Sequence, residues 1–260
     1  MDAQAPSTVS RGRTIAFRVI AGIFGAIVVI SNIVFTMPVF TDESEKVHSF
    51  HVLGVFPSST LLIGFPLIVL AIRPNDVVAL RVAWAAVIGV VVASLIGEDV
   101  IAGSYFIAPI VMIVLTVLAP TRRQLVRLGS PNIAMLCLAL VAAIPATVYT
   151  WHNARMMLQG DPMHDPTGHW KFHHWSGIGG AALGLVLAAA VVAFRQDQDR
   201  MWTWLVGLCV MLFGLVGILY ADDARYPSSI GTWWGVVTLF VGVIYIVVAE
   251  VSARSEVSEP

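Results

Sequence analysis

The chain has 260 residues, 58% of them hydrophobic and only 12% charged, with a formal net charge of −1. A soluble domain carries about 25% charged residues, so the composition argues against an ordinary water-soluble fold. The near-zero charge gives no basis for nucleic-acid binding. The mean hydropathy of +0.84 points to lipid as the solvent.

In chain order, residues 1–14 form a polar leader carrying Arg11 and Arg13. The apolar stretch from Ile15 to Met37 is too long for a signal-peptide core, and no A-x-A-like site follows it, so it reads as a retained first span. A helix needs about 20 apolar residues to cross a hydrocarbon core. On that basis the expected spans are Ile15–Thr36, Val52–Ile72, Val78–Ile96, Ile101–Leu118, Asn132–Thr150, Trp175–Phe194, Trp202–Tyr220 and Gly231–Glu250. No run alternates with period 2, which favours helices over a β-barrel. Only Gly97-Glu98-Asp99-Val100 joins the third and fourth spans, so a tight helical hairpin is expected there. The fold class is therefore all-α: a polytopic transmembrane bundle of about eight spans. Residues 15–119 make the first half, 120–131 a basic linker, 132–250 the second half and 251–260 a tail.

Basic residues set the orientation. Arg11, Arg13, Arg18, Arg73, Arg81, Arg122, Arg123, Arg127, Arg195, Arg200 and Arg254 all fall on one side of this scheme. Lys46, Arg155, Lys171 and Arg225 fall on the other. Both termini are then expected in the cytoplasm, with the plasma (inner) membrane as the location.

All seven histidines fall on the extracytoplasmic side of this scheme. His48 and His51 lie in or near the first outer loop. His152, His164, His169, His173 and His174 lie in the third, with Asp161 and Asp165. His48 and His51 are three apart, and His169 and His173 four apart, so each pair would share a face on a helix. The halves also look alike. HVLG at His51–Gly54 opens the second span and HWSG at His174–Gly177 the sixth. GSYF at Gly103–Phe106 opens the fourth and GTWW at Gly231–Trp234 the eighth. The acidic pairs Glu98-Asp99 and Asp222-Asp223 precede the latter two. A parallel four-plus-four duplication is expected, its axis along the membrane normal.

Imidazoles and carboxylates at these spacings are the ligands that zinc and copper take. The candidate metal ligands are His48, His51, Asp165, His169, His173 and His174. His152, His164, Asp161 and Met163 are secondary candidates; Met156, Met157 and Met163 would favour copper(I). The same histidines would also serve as interfacial hydrogen-bonding groups, or as a pH sensor titrating near pH 6.5. His169 with His173-His174 reads H-x-x-x-H-H, similar to one box of the membrane fatty-acid desaturases and hydroxylases. Those enzymes need several such boxes facing the cytoplasm, so that assignment is rejected.

Other classes are excluded by absence. No lysine lies within a span to hold retinal, and no nucleotide-binding glycine pattern is present; Gly177, Gly179 and Gly180 read as packing residues. No ionisable group sits mid-span, which weakens a proton-coupled transporter. Cys137 and Cys209 lie in apolar runs and read as buried apolar residues. Asn32, Pro66 and Pro145 read as packing features, and Trp151, Trp170, Trp175, Trp233 and Trp234 as an aromatic belt.

The pattern of His48/His51 after the first span and Asp161-Pro162, His164 and His169-Trp170 before the sixth resembles a loose set of uncharacterised eight-span integral membrane proteins of actinobacteria. The resemblance covers most of the chain and implies no activity. The reading is an integral plasma-membrane protein whose extracytoplasmic His/Asp cluster binds zinc or copper, with the lipid bilayer and the metal ion as its partners. One alternative is a metal-independent structural or pH-sensing membrane protein. Another is a zinc-dependent hydrolase acting on lipid or an envelope substrate. Whether the chain is an enzyme stays open, as do haem and any protein partner.

Overall fold

Long runs of Ile, Val, Leu and Ala offer the backbone no polar partners beyond itself, so each run closes its own hydrogen bonds as a helix. A computed structural model describes residues 10–42, 49–99, 104–159, 174–194, 200–221 and 229–257. No strand occurs among them. The elements are α1 (Arg11–Thr41), α2 (Ser49–Ser59), a π-helical turn (Thr60–Gly64), α3 (Phe65–Ile72), α4 (Val77–Ile96), α5 (Ser104–Leu118), α6 (Ile133–Gln159), α7 (His174–Ala193), α8 (Arg200–Leu219) and α9 (Gly231–Val257). α2, the π turn and α3 run on as one rod. Among the described residues seven helices are long and apolar enough to cross a membrane, which marks a multi-pass membrane protein.

Several boundaries differ from expectation. α1 is longer at both ends because Ser10 caps it, accepting from Arg13 N, and because the helix continues through Pro38. α6 runs to Gln159, so Trp151, His152, Arg155, Met156 and Met157 are helical rather than in a loop. The Ala154–Gln159 stretch is made of strong helix formers, and the helix outlasts its apolar run. α9 likewise continues into the expected tail, as far as Val257. α5 is described over 15 residues, about 22 Å of helix; residues 101–103 of the expected fourth span lie outside the described residues.

Successive rods reverse direction, and side-chain and backbone hydrogen bonds tie their ends together. Trp202 Nε1, at the start of α8, donates to Oδ2 of Asp76, which caps α4. Asn132 N, before α6, donates to Ala193 O at the end of α7 (2.8 Å). Trp204 Nε1 donates to Glu250 Oε1 (2.9 Å), joining the start of α8 to the later part of α9. All these pairs mark one end of the bundle. Arginines cap helix C-termini there, where carbonyls lack partners and the dipole is negative. Arg13 donates to Val117 O, Leu118 O and Ala119 O at the end of α5. Arg18 donates to Ala71 O and Ile72 O at the end of α3. Arg81, 4% exposed, donates to Gln124 O, Leu125 O and Arg127 O in the turn after α5. Arg13, Arg18 and Arg81 thus tie helix and turn carbonyls together at this end of the bundle.

α4 and α7 are the most enclosed of the long helices, while α1, α6 and α9 stand outside and show apolar side chains outward, among them Ile30, Phe35, Val141, Ile144 and Phe240. Exposure of this kind suits lipid contact. In lipid, helices gain little from burying more apolar surface, so close backbone packing must hold them. The α4–α7 crossing shows it. A Cβ on Gly89 would strike the Gly180 carbonyl and the Gly184 backbone, and one on Gly184 would lie 3.0 Å from Ala86 Cα. Gly180 and Gly184 are spaced as GxxxG, the small-residue pattern that permits such an approach.

The π turn has a sequence cause. Pro57 and Pro66 each remove an N–H from the ladder. Between them the ladder widens, Phe65 N bonding back to Thr60 O. Asn32 of α1 supplies polar contacts there, its amide nitrogen donating to Phe56 O (3.2 Å) and Thr60 Oγ1 (2.9 Å). Asn32 is thus a packing residue, as expected.

Candidate functional site: the arginine-poor end

Two first turns meet at the end opposite the arginines. Phe50 of α2, Ile178 of α7 and Val216 of α8 form one buried cluster. Phe50 precedes His51, and Ile178 lies one turn beyond His174. The cluster therefore brings the α2 backbone that carries His51 beside the turn that His174 opens.

His174 is half-buried. His152 lies on an exposed position of α6 and belongs to no buried group. His51 is within α2, and its side chain lies outside what the structure describes. His48, Asp161, Met163, His164, Asp165, His169 and His173 lie outside the described residues, so the metal assignment falls largely there. Among the described residues no group of three or more His, Cys, Asp or Glu converges as a metal site would require. Met157 is buried against the α4 end, its Cβ 3.3 Å from the Cβ position of Gly97.

The tryptophans divide. Trp151, Trp233 and Trp234 are exposed near this end, as belt residues would be, and Arg155 lies over the Trp151 ring at 5.4 Å. Trp175 does not join them. It is 7% exposed, a core residue where α7 enters the bundle, because the Ser176–Gly180 stretch draws that first turn against its neighbours. Trp202, likewise, is fully buried at the arginine end.

Below this rim lies a set of small polar residues that the sequence does not signal, together with Asp99 of the Glu98-Asp99 pair. Ser94 and Asp99 at the end of α4, Thr150 and Asn153 on α6, and Ser176 on α7 are all buried. Thr150 Oγ1 donates across to Gly179 O (2.8 Å), fixing α6 on α7. One turn further out, Ser176 Oγ and Ala154 O both face Gly97; a Cβ there would lie 3.1 Å from the former and 2.9 Å from the latter. Asp99 N bonds back to Ser94 O (2.8 Å), curling the chain end over α4. Serine, threonine and asparagine scattered through apolar runs carry no spacing signal, so only the packing register assembles them.

Comparison with protein-family models, curated proteins and solved structures finds no match for this chain.

Proposed function

We propose that this multi-pass membrane protein is an eight-span plasma-membrane protein that binds zinc or copper at its arginine-poor end, which faces away from the cytoplasm. The ligands in this reading are His51 and His48 from the first half and His169, His173 and His174 from the second, with Asp165 as ligand or orienter. The observation that carries it is the shared buried cluster of Phe50, Ile178 and Val216, which supports convergence of the two histidine-bearing first turns.

The parallel duplication belongs to the same proposal. α4 and α8 have the same length, and the offset between them is also the offset between His51 and His174. The pairings support it too: α1 packs on the α2–α3 rod and on α5, as α6 packs on α7 and on α9. The correspondence is loosest for the fourth member of each half, since α8–α9 packing is far more extensive than α4–α5 packing.

The experiment is elemental analysis of the purified full-length protein, followed by zinc and copper titration of wild type, His173→Ala and His51→Ala. Bound metal is expected in wild type. Each variant should lose more than the 10–100-fold in affinity typical of an outer-shell partner. Imidazole must be neutral to bind, so affinity should fall below about pH 6. If both variants bind as wild type does, the shared site does not exist.

A further inference from the structure

We propose that the arginine-poor ends of α4, α6 and α7 enclose a binding site for an alkali cation of the sodium class, held by oxygens of Ser94, Asn153, Ser176 and Asp99. This site is separate from the proposed zinc or copper site and uses none of its ligands.

The first argument is unmet hydrogen bonding. Among the described residues Ser94 Oγ, Asn153 Oδ1 and Ser176 Oγ find no hydrogen-bond partner, although Ser94 is 5% exposed and Asn153 and Ser176 are fully buried. Buried polar atoms are almost always satisfied, and those that are not commonly mark an ion or a water. The Asn153 amide nitrogen donates to Tyr149 O (2.9 Å), which leaves its oxygen as the free end.

The second argument is convergence. Gly180 packs on Val90, and Ser176 is one turn outward from Gly180 as Ser94 is from Val90, so the antiparallel α4–α7 register sets the two serines at the same level. Thr150 against Gly179 sets Asn153 one turn outward, beside Ser176. Gly97 sits where the three ends meet, and its missing Cβ keeps the space between Ser176 Oγ and Ala154 O open. Asp99, two residues on, is the one buried acid among the described residues.

The third argument is donor chemistry. All four side chains offer oxygen, with no thiol, thioether or imidazole, so the set suits a hard cation and not zinc or copper. There is a single carboxylate among neutral oxygens. Calcium sites gather several charged oxygens and magnesium keeps its waters; one carboxylate balances one positive charge. The C-terminus of α4 adds the negative end of its dipole. Helix ends and loosened backbone of this kind are where membrane helices coordinate sodium.

The test uses the purified full-length protein in detergent, with a chelator present to remove transition metals. Its thermal midpoint is followed in sodium, lithium, potassium and N-methyl-glucamine chlorides at constant ionic strength. Wild type should show a saturable rise in sodium over N-methyl-glucamine. Ser176→Ala adds no atoms, and should raise the half-saturating sodium concentration by about tenfold or more. Ser94→Ala gives a second reading if Ser176→Ala folds poorly. If the wild-type midpoint is the same in all four salts, or if neither variant changes the sodium response, these oxygens hold no alkali cation and the proposal is overturned. Neither result bears on zinc or copper, which elemental analysis reads separately.

Discussion

Asn32 of α1 reaches across to α2, its amide nitrogen 3.2 Å from the carbonyl oxygen of Phe56. The bond lies beside the π turn between Pro57 and Pro66 and ties α1 to the second rod there. Asn32→Leu keeps the approximate shape and removes the donor. Interhelical hydrogen bonds in membranes are worth about 0.6 kcal/mol on average and about 1.7 at most, and a loss in that range is expected. Unfolding of the micelle-bound protein in increasing dodecyl sulfate measures it; an unchanged midpoint would mean the contact contributes nothing.

Arg81 holds the turn after α5 through three carbonyls. A lysine has no planar fork to reach them, so Arg81→Lys should behave nearly as badly as Arg81→Met. Hydrogen bonds from a charged group contribute about 1.5–3 kcal/mol, and each variant should lose stability in that range. Amide exchange in residues 120–127 should quicken as the turn opens. Protection that stays at the wild-type level would show that the turn holds itself.

The α4–α7 crossing predicts a steric contrast. A Cβ on Gly180 would press on Val90 backbone, whereas nothing lies within 4 Å of a Cβ on Gly12. Gly180→Val should cost at least the 1–3 kcal/mol of overpacking, roughly, and more if the helices separate. Gly12→Ala should stay within about 0.5 kcal/mol of wild type. Thermal midpoints of the two variants side by side decide it, and equal values would mean the crossing is not tight.

Orientation can be read with single cysteines in a background lacking Cys137 and Cys209. Val126, 83% exposed, lies in the turn at the arginine end, and Gln159 ends α6 at the other. With cytoplasmic termini and eight spans, an impermeant maleimide added outside intact cells should label Gln159→Cys and spare Val126→Cys. The reverse pattern would invert the protein. Labelling of both would break the span count, with the short α5 as the first suspect.

Composition and run length alone determined that this chain is helical and membrane-spanning, because lipid leaves the backbone no other way to satisfy its polar groups. The grouping of arginines near particular helix ends was also legible in the sequence, and the structure adds that Arg13 and Arg18 cap the ends of α5 and α3 while Arg81 binds the turn after α5. Run length misjudged the ends of α1, α6 and α9, because a cap such as Ser10 or strong helix formers such as those of Ala154–Gln159 carry a helix beyond its apolar part. Trp175 looked like a belt residue and proved to be core, because position along a helix does not say which way the helix faces. The histidines announced themselves by type and spacing, whereas Ser94, Asn153 and Ser176 did not. Each is an ordinary small polar residue in its own helix. Only the close approach of α4, α6 and α7, permitted by Gly89, Gly97, Gly179 and Gly180, brings them to one level and removes them from water and lipid together.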